Sequence, residues 1–349
     1  MINEYSVVDL FSGIGGLTHG LVKEGFKVDA GVDFDISCKY AFEKNNKTKF
    51  VYQDLTKQDS AEIVNKLFTG NKKILVGCAP CQAFSSYNKN QKNDKWKLLY
   101  SYGKLIDEIK PEIISMENVP QLRTYQEGKV FNDFIKVLEK NDYHIFYTVV
   151  NSQYYGVPQS RKRLILLASK LGKIELIPPT HNEKNFVTVR KVIGKLPIIE
   201  DGIAHESDPI HRARKLSPMN KVRIQATPEG GGWRDWNEEL LLECHKKNSG
   251  KSFASVYGRM KWDDVAPTLT TQCTGYGNGR FGHPEQDRAI TLREAALLQT
   301  FPKNYKLFDP KTDISTPNIE RHIGNAVPVR LGQVIAKSIK KHIQSIEQQ

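Results

Sequence analysis

The sequence predicts an α/β chain built on a doubly wound, mostly parallel sheet, with a second, smaller domain of irregular structure. Three observations carry that prediction. Short β-branched runs recur up to about residue 170, helical patterns lie between them, and from about Pro178 the alternation fades. A chain of 349 residues is long enough for one large domain plus a smaller one.

In order, the runs are Val7-Val8-Asp9-Leu10, Ile74-Leu75-Val76, Ile113-Ile114-Ser115-Met116, Ile145-Phe146-Tyr147-Thr148-Val149-Val150 and Leu164-Ile165-Leu166-Leu167. Each is too short for a helix and apolar enough to be buried on both faces, as central strands of a parallel sheet are. Leu98, Tyr102, Leu105 and Ile109 mark one intervening helix, and Phe131, Phe134, Ile135 and Leu138 another. From 178 to 287 Pro, Gly, Trp and Arg accumulate, as in Gly230-Gly231-Gly232-Trp233-Arg234-Asp235-Trp236. A helix returns after Pro328, with Leu331, Ile335, Ile339 and Ile343 on one face, suited to docking onto the first sheet. Residues 1–178 and 317–349 are therefore expected to form the first domain, and 179–316 the second with its hinge.

Lys plus Arg number 51 against 39 Asp plus Glu, a formal net charge of +12. So basic a surface favours polyanions, although a lysine-rich solubility surface reads the same way. No apolar run approaches the roughly 20 residues a membrane-spanning helix needs. Met1-Ile2-Asn3-Glu4-Tyr5 does not resemble the start of a signal peptide. Five cysteines, an odd number in a long chain, argue against a disulfide framework and for a reducing cytoplasm.

In doubly wound sheets ligands sit beyond the carboxyl ends of the strands. The first strand runs into Phe11-Ser12-Gly13-Ile14-Gly15-Gly16, a loop whose glycines allow close backbone approach by a ligand. The dinucleotide fingerprint wants a third glycine where Thr18 stands, which disfavours a nicotinamide cofactor. Asp33, at the end of the next strand, suits ribose hydroxyls, and Asp54, before Leu55, suits an adenine amino group. A nucleoside cofactor without a pyrophosphate fits these loops; an ordinary sheet with glycine turns is the plainer alternative.

The fourth strand ends in Gly77-Cys78-Ala79-Pro80-Cys81-Gln82. A thioredoxin-like pair should open a helix, but a polar loop follows here, and zinc would need two further ligands at sensible spacing, so no metal is expected. Cys81, at a strand's carboxyl end and aimed by Pro80, is a candidate nucleophile. The fifth strand ends in Glu117-Asn118, where desolvation of an acid favours its protonated form near neutral pH. Arg161 and Arg163, two apart on an extended segment, project the same way and are both expected to reach the Cys81–Glu117 pocket; a solvated basic turn is the alternative.

Taken together, these residues resemble the cytosine-C5 DNA methyltransferase family of bacterial, restriction-modification type. The resemblance keeps the family's order over nearly the whole chain: residues 9–16, then Pro80-Cys81-Gln82, Glu117-Asn118-Val119, Gln159-x-Arg161-x-Arg163, Arg293-Glu294-Ala295-Ala296-Leu297-Leu298-Gln299-Thr300-Phe301-Pro302 and Gly324-Asn325-Ala326-Val327-Pro328. It implies S-adenosylmethionine as donor, with S-adenosylhomocysteine as product. The Cys81 thiolate would attack C6 of a flipped-out cytosine, with Glu117 at N3 and Arg163 at the base oxygen. Asn118 and Arg161 would brace that pocket. By the same resemblance Phe11, Ser12, Gly13, Ile14, Gly15 and Gly16 cradle the donor with Asp33, Phe34, Asp54 and Leu55, while Leu98, Asn325 and Val327 close the site.

The loop 82–97, with Gln82 and Ser85, is expected to close over the base; a surface loop is the alternative. Base-reading candidates in the second domain are Arg223, Arg234, Arg259, Trp233, Trp236, Thr268, Thr270 and Gln272, although arginines that touch only phosphates fit as well. The partner is then duplex DNA, with a possible cognate endonuclease sharing the target site, for a monomer in the cytoplasm, nucleoid-associated. A tRNA cytosine methyltransferase, a non-catalytic DNA-gripping member and a thiol oxidoreductase on Cys78 and Cys81 stand as competing readings.

Overall fold

The computed structural model describes residues 2–80, 94–248 and 250–348. The chain divides into two compact units, Met1–Tyr155 with Lys162–Thr180 and Ala326–Gln349, and Gly156–Arg161 with His181–Asn325.

The first unit holds a seven-stranded sheet: β1 (Tyr5–Leu10), β2 (Val28–Asp33), β3 (Lys49–Tyr52), β4 (Lys72–Gly77), β5 (Ile113–Asn118), β6 (His144–Asn151) and β7 (Lys162–Ser169). The spatial order is β3-β2-β1-β4-β5-β7-β6, parallel from β3 through β5, with β7 antiparallel to both its neighbours. Helices α1 (Gly16–Lys23), α2 (Lys39–Asn46), α3 (Ser60–Asn65), α4 (Lys97–Ile109) and α5 (Lys129–Lys140) follow the strands, as the alternating pattern requires.

Side chains alternate between the two faces of the strands, and each face has its own helices. Val8, Leu10, Leu75, Ile114, Met116 and Leu166 pack with Tyr102 and Ile106 of α4 and Phe131, Phe134 and Leu138 of α5. Val7, Ile74, Val76, Ile113 and Leu167 pack with Leu17 and Leu21 of α1 and with Leu331, Ile335, Ile339 and Ile343 of the C-terminal helix Val329–Glu347. A side chain at Gly20 in α1 would put its Cβ 2.5 Å from the Gly332 carbonyl carbon, so the two helices meet backbone to backbone. The fourth run differs from expectation. As β6 it is the edge strand, with Tyr147 and Val149 exposed, because a strand at the rim of a sheet is covered on fewer sides than a central one.

The second unit contains short helices and one two-stranded sheet, Ala204–His205 with Asp208–Arg212. Trp233, Trp236, Tyr276, Ile224 and Ala289 form an aromatic core. Helix Leu292–Leu298 opens with a capping box of Thr291 and Glu294. Arg288 holds Glu294 through two hydrogen bonds of 2.8 and 2.9 Å. Burial pushes that carboxyl up, but the guanidinium overcomes it and keeps Glu294 at about 2. The unit also takes in 156–161 and 317–325, which the sequence reading assigns to the first domain. Side chains account for the difference: Glu320 accepts from Thr274 and Arg214, and Gln299 donates to the Ile323 carbonyl.

Candidate active site

Two clusters lie at the carboxyl ends of the strands of the first unit. The first follows β1. Its loop turns through residues in the left-handed region, Phe11 (φ 56°), Gly13 (φ 51°) and Gly15 (φ 85°). The glycines adopt this freely, whereas Phe11 carries strain on the order of 1 kcal/mol or more. Each Asp33 carboxylate oxygen takes one backbone N–H at 2.8 Å, from Gly13 and from Asp35. Burial pushes the Asp33 carboxyl up. Phe34 beside it is 61% exposed and stacks on Tyr52 at 5.3 Å between centroids. Asp54 accepts from the Thr56 N–H and hydroxyl, which lower its carboxyl.

This donor set fits a nucleoside. A carboxylate oxygen with one N–H keeps capacity for a ribose hydroxyl, and an exposed aromatic face beside it suits a purine. The buried Ser12 hydroxyl has no hydrogen-bond partner among the described residues. Leu98 is half-buried, whereas Ile14, Leu55 and Val327 are buried. Beneath the loop lies a residue that sequence reasoning left without a role. Asp9, 1% exposed, takes the Thr18 hydroxyl at 2.6 Å, and burial pushes its carboxyl up to about 7.

The second cluster joins β4, β5 and β7. Glu117 is 2% exposed, and Arg163 Nε lies 2.9 Å from its Oε1. A cation at that distance offsets much of the cost of burying a carboxylate. Asn118 donates to the Ala79 carbonyl at 3.1 Å and accepts from the Val119 N–H, which ties β5 to the residues just before position 81. Pro80 is half-buried. Cys78 Sγ is 2.7 Å from Glu117 Oε2, a contact the sequence reading did not foresee. The expected nucleophile Cys81, and Gln82 and Ser85 of the expected lid, lie outside the described residues.

Comparison with known proteins gives this arrangement its context. A model of the C-5 cytosine-specific DNA methylases matches residues 5–341. The chain belongs to that family. It is a DNA cytosine-5 methyltransferase, and methyl transfer in this family is generally S-adenosylmethionine-dependent. The methylase is 56% identical over 345 residues to Type II methylase M.HgiDII of Herpetosiphon aurantiacus, covering 98% of this chain and 97% of the relative. It is 32% identical to Type II methyltransferase M.PspPI of Psychrobacter sp., over 96% and 79% of the two chains. Among solved structures, a DNA modification methyltransferase encoded within an E. coli prophage superposes with a TM-score of 0.75 at 22% identity, over 97% of this chain and 99% of the other. Entamoeba histolytica methyltransferase EhMeth superposes at 0.67 with 18% identity, over 97% and 98%. At these identities the structures confirm the fold alone: α/β, with a mostly parallel sheet.

The second unit of the methylase distributes the remaining candidates unevenly. Arg161 does not share the surroundings of Arg163. It donates to the carbonyls of Leu269 and Gly324, at 2.9 and 3.1 Å, inside the second unit. Residues two apart do not share surroundings here because the chain changes unit between the two arginines. Gln159, fully buried, adds a hydrogen bond from the Leu269 N–H and one to Gln299. The segment 268–272 is thereby held by both backbone groups of Leu269, while Thr268 and Gln272 stay exposed and Thr270 half-buried.

Arg259 is corrected as a base-reading candidate. It is 4% exposed and donates to the carbonyls of Ile224, Thr227, His283 and Gln286, with Asp287 beside it. Trp233 and Trp236 are also core, the former stacked on His245 at 4.3 Å. Arg223 donates to the Leu240 carbonyl and lies over Trp236. Arg234 is exposed over Trp233, and Asn325, also exposed, ends helix Thr316–Asn325. Among the described residues no helix is long and apolar enough to cross a membrane.

Proposed function

We propose that this methylase modifies C5 of a cytosine swung out of duplex DNA, through a covalent bond between Cys81 and C6, and that it protects DNA against a nuclease of the same target sequence. The carrying observation is Glu117, buried at the carboxyl end of β5 between Arg163 and Cys78, with Asn118 tying in the strand end that leads to Cys81. C5 of cytosine is a poor nucleophile, and thiolate addition at C6 makes it enamine-like. Addition pushes electron density into the ring, so a proton held by Glu117 at N3 and the Arg163 cation at the base oxygen stabilise the adduct. Glu117 Oε1, although close to Arg163 Nε, takes no aligned hydrogen bond among the described residues, which leaves it capacity for a base. C5 then accepts the methyl group; water takes the C5 proton, that C–H electron pair re-forms the C5–C6 double bond as Cys81 leaves as thiolate, and N3 returns its proton to Glu117.

Asp33, Phe34, Asp54 and the loop 11–16 would hold S-adenosylmethionine, which supplies an electrophilic methyl group when bound. The stacked base must leave the duplex first, at a cost of a few kcal/mol. The exposed Arg234, Thr268 and Gln272 are the second unit's candidates for contacting the DNA. The names of the two Type II relatives support the protective role. The test is incorporation of labelled methyl into duplex DNA. Wild type labels C5 of cytosine at one sequence; transfer by Cys81→Ser at the wild-type rate overturns the covalent route.

A further inference from the structure

We propose that Cys78 is a positioning residue for the reaction, a reversible hydrogen-bond partner that holds Glu117 Oε2 whether or not the acid carries its proton. This inference rests on the acid–base reading of Glu117 given above.

The geometry places the two groups by backbone constraint. Cys78 follows β4 directly, and its N–H bonds the Leu10 carbonyl on the neighbouring strand. Gly77 before it is closely packed: an added Cβ would meet the Leu10 carbonyl oxygen at 3.1 Å and the Tyr102 ring at 3.2 Å. Asn118, next to Glu117, grips the Ala79 carbonyl after it. Cys78 is thus fixed on both sides, with Sγ 2.7 Å from Oε2. Among the described residues Arg163, on β7, and Cys78 are the titratable groups in contact with Glu117.

The two partners differ chemically. A guanidinium only donates, so Arg163 serves the carboxylate and offers nothing to a carboxylic acid's proton. A thiol donates weakly and also accepts weakly. With Glu117 ionised, or with its proton on Oε1 where it meets the base, the S–H points to Oε2; when the proton rests on Oε2 between turnovers, the O–H points to sulfur. The side chain keeps its rotamer through the proton cycle, and no net proton is gained or lost by Cys78. Because the thiol bonds the charged form more strongly than the neutral one, deleting it favours the protonated acid, and a hydroxyl in its place favours the carboxylate.

The experiment compares wild type, Cys78→Ala and Cys78→Ser in single-turnover methylation of duplex DNA across pH, with donor affinity measured by calorimetry. Expected are a several-fold slower rate for alanine with unchanged donor affinity, and an alkaline limb displaced upward. Serine should recover most of the rate, with the limb displaced the opposite way. A wild-type rate and profile in Cys78→Ala overturns the inference, as does a loss that serine does not recover or one accompanied by an equal loss of donor affinity. Glu117→Gln separates this from the underlying reading. If it methylates normally, the role of Glu117 fails; if it is inactive while the Cys78 variants match wild type, only the inference fails.

Discussion

Arg163 Nε and Glu117 Oε1 lie 2.9 Å apart on adjacent antiparallel strands, with both side chains almost wholly buried. Each charge offsets much of the cost of burying the other. Arg163→Ala is expected to cost about 3–5 kcal/mol of stability, because it leaves a buried carboxylate without its cation. Adding Glu117→Gln should restore most of that loss, and neither variant should methylate. Denaturant unfolding of the two single variants and the double checks the sign.

Asn118 bridges β5 to the Ala79 carbonyl just ahead of Cys81. Asn118→Ala should lower stability by about 1–2 kcal/mol and slow methyl transfer more than tenfold with donor affinity intact. Single-turnover rates and calorimetry on the same preparation separate the two effects.

Asp33 and Phe34 stand together at the end of β2, one carboxylate and one exposed ring. Phe34→Ala should weaken donor binding by roughly 1 kcal/mol, and Asp33→Ala by more, since it also frees the Gly13 and Asp35 N–H groups. Titration calorimetry with S-adenosylmethionine reads both. Equal affinities for wild type and Asp33→Ala would remove Asp33 from the donor site.

Asp9 gives the first unit a pH dependence. Burial pushes its carboxyl up to about 7, against about 3.9 in an unfolded chain. Between those values the folded protein keeps a proton that the unfolded chain has lost, so Asp9 makes stability fall as pH rises, levelling off above about 7. Asp9→Asn mimics the protonated acid toward Thr18. Its stability advantage should grow from about pH 5 to about pH 8, reaching about 2–4 kcal/mol. Thermal melts across that range test this, and a constant difference would contradict it.

Arg259 and Arg234 should behave oppositely. Arg259→Ala leaves several buried carbonyls without a donor and should unfold the second unit or destabilise it by several kcal/mol. Arg234→Ala, at an exposed position over Trp233, should lower the melting temperature only slightly, weaken DNA binding and reduce its salt dependence. Melting curves and filter binding at several salt concentrations separate the two.

Local pattern carried much of this. Apolar runs, glycine spacing and the stripe Leu331, Ile335, Ile339, Ile343 placed the central strands, the loop after β1 and the C-terminal helix, because periodicity and turn chemistry act over neighbouring residues. Acids at strand ends, Asp33 and Glu117, were legible for the same reason: an ionisable group ending an apolar run must be paired or used. What lay beyond reach depended on contacts between distant segments. Nothing in the spacing of Arg161 and Arg163 tells that one bonds carbonyls more than a hundred residues away while the other pairs with Glu117. Nor does an arginine's identity tell whether folding spends it on backbone carbonyls, as at Arg259, or leaves it exposed, as at Arg234. Those outcomes are set by which partners long-range packing brings within about 3 Å, and a linear chain does not encode that distance locally.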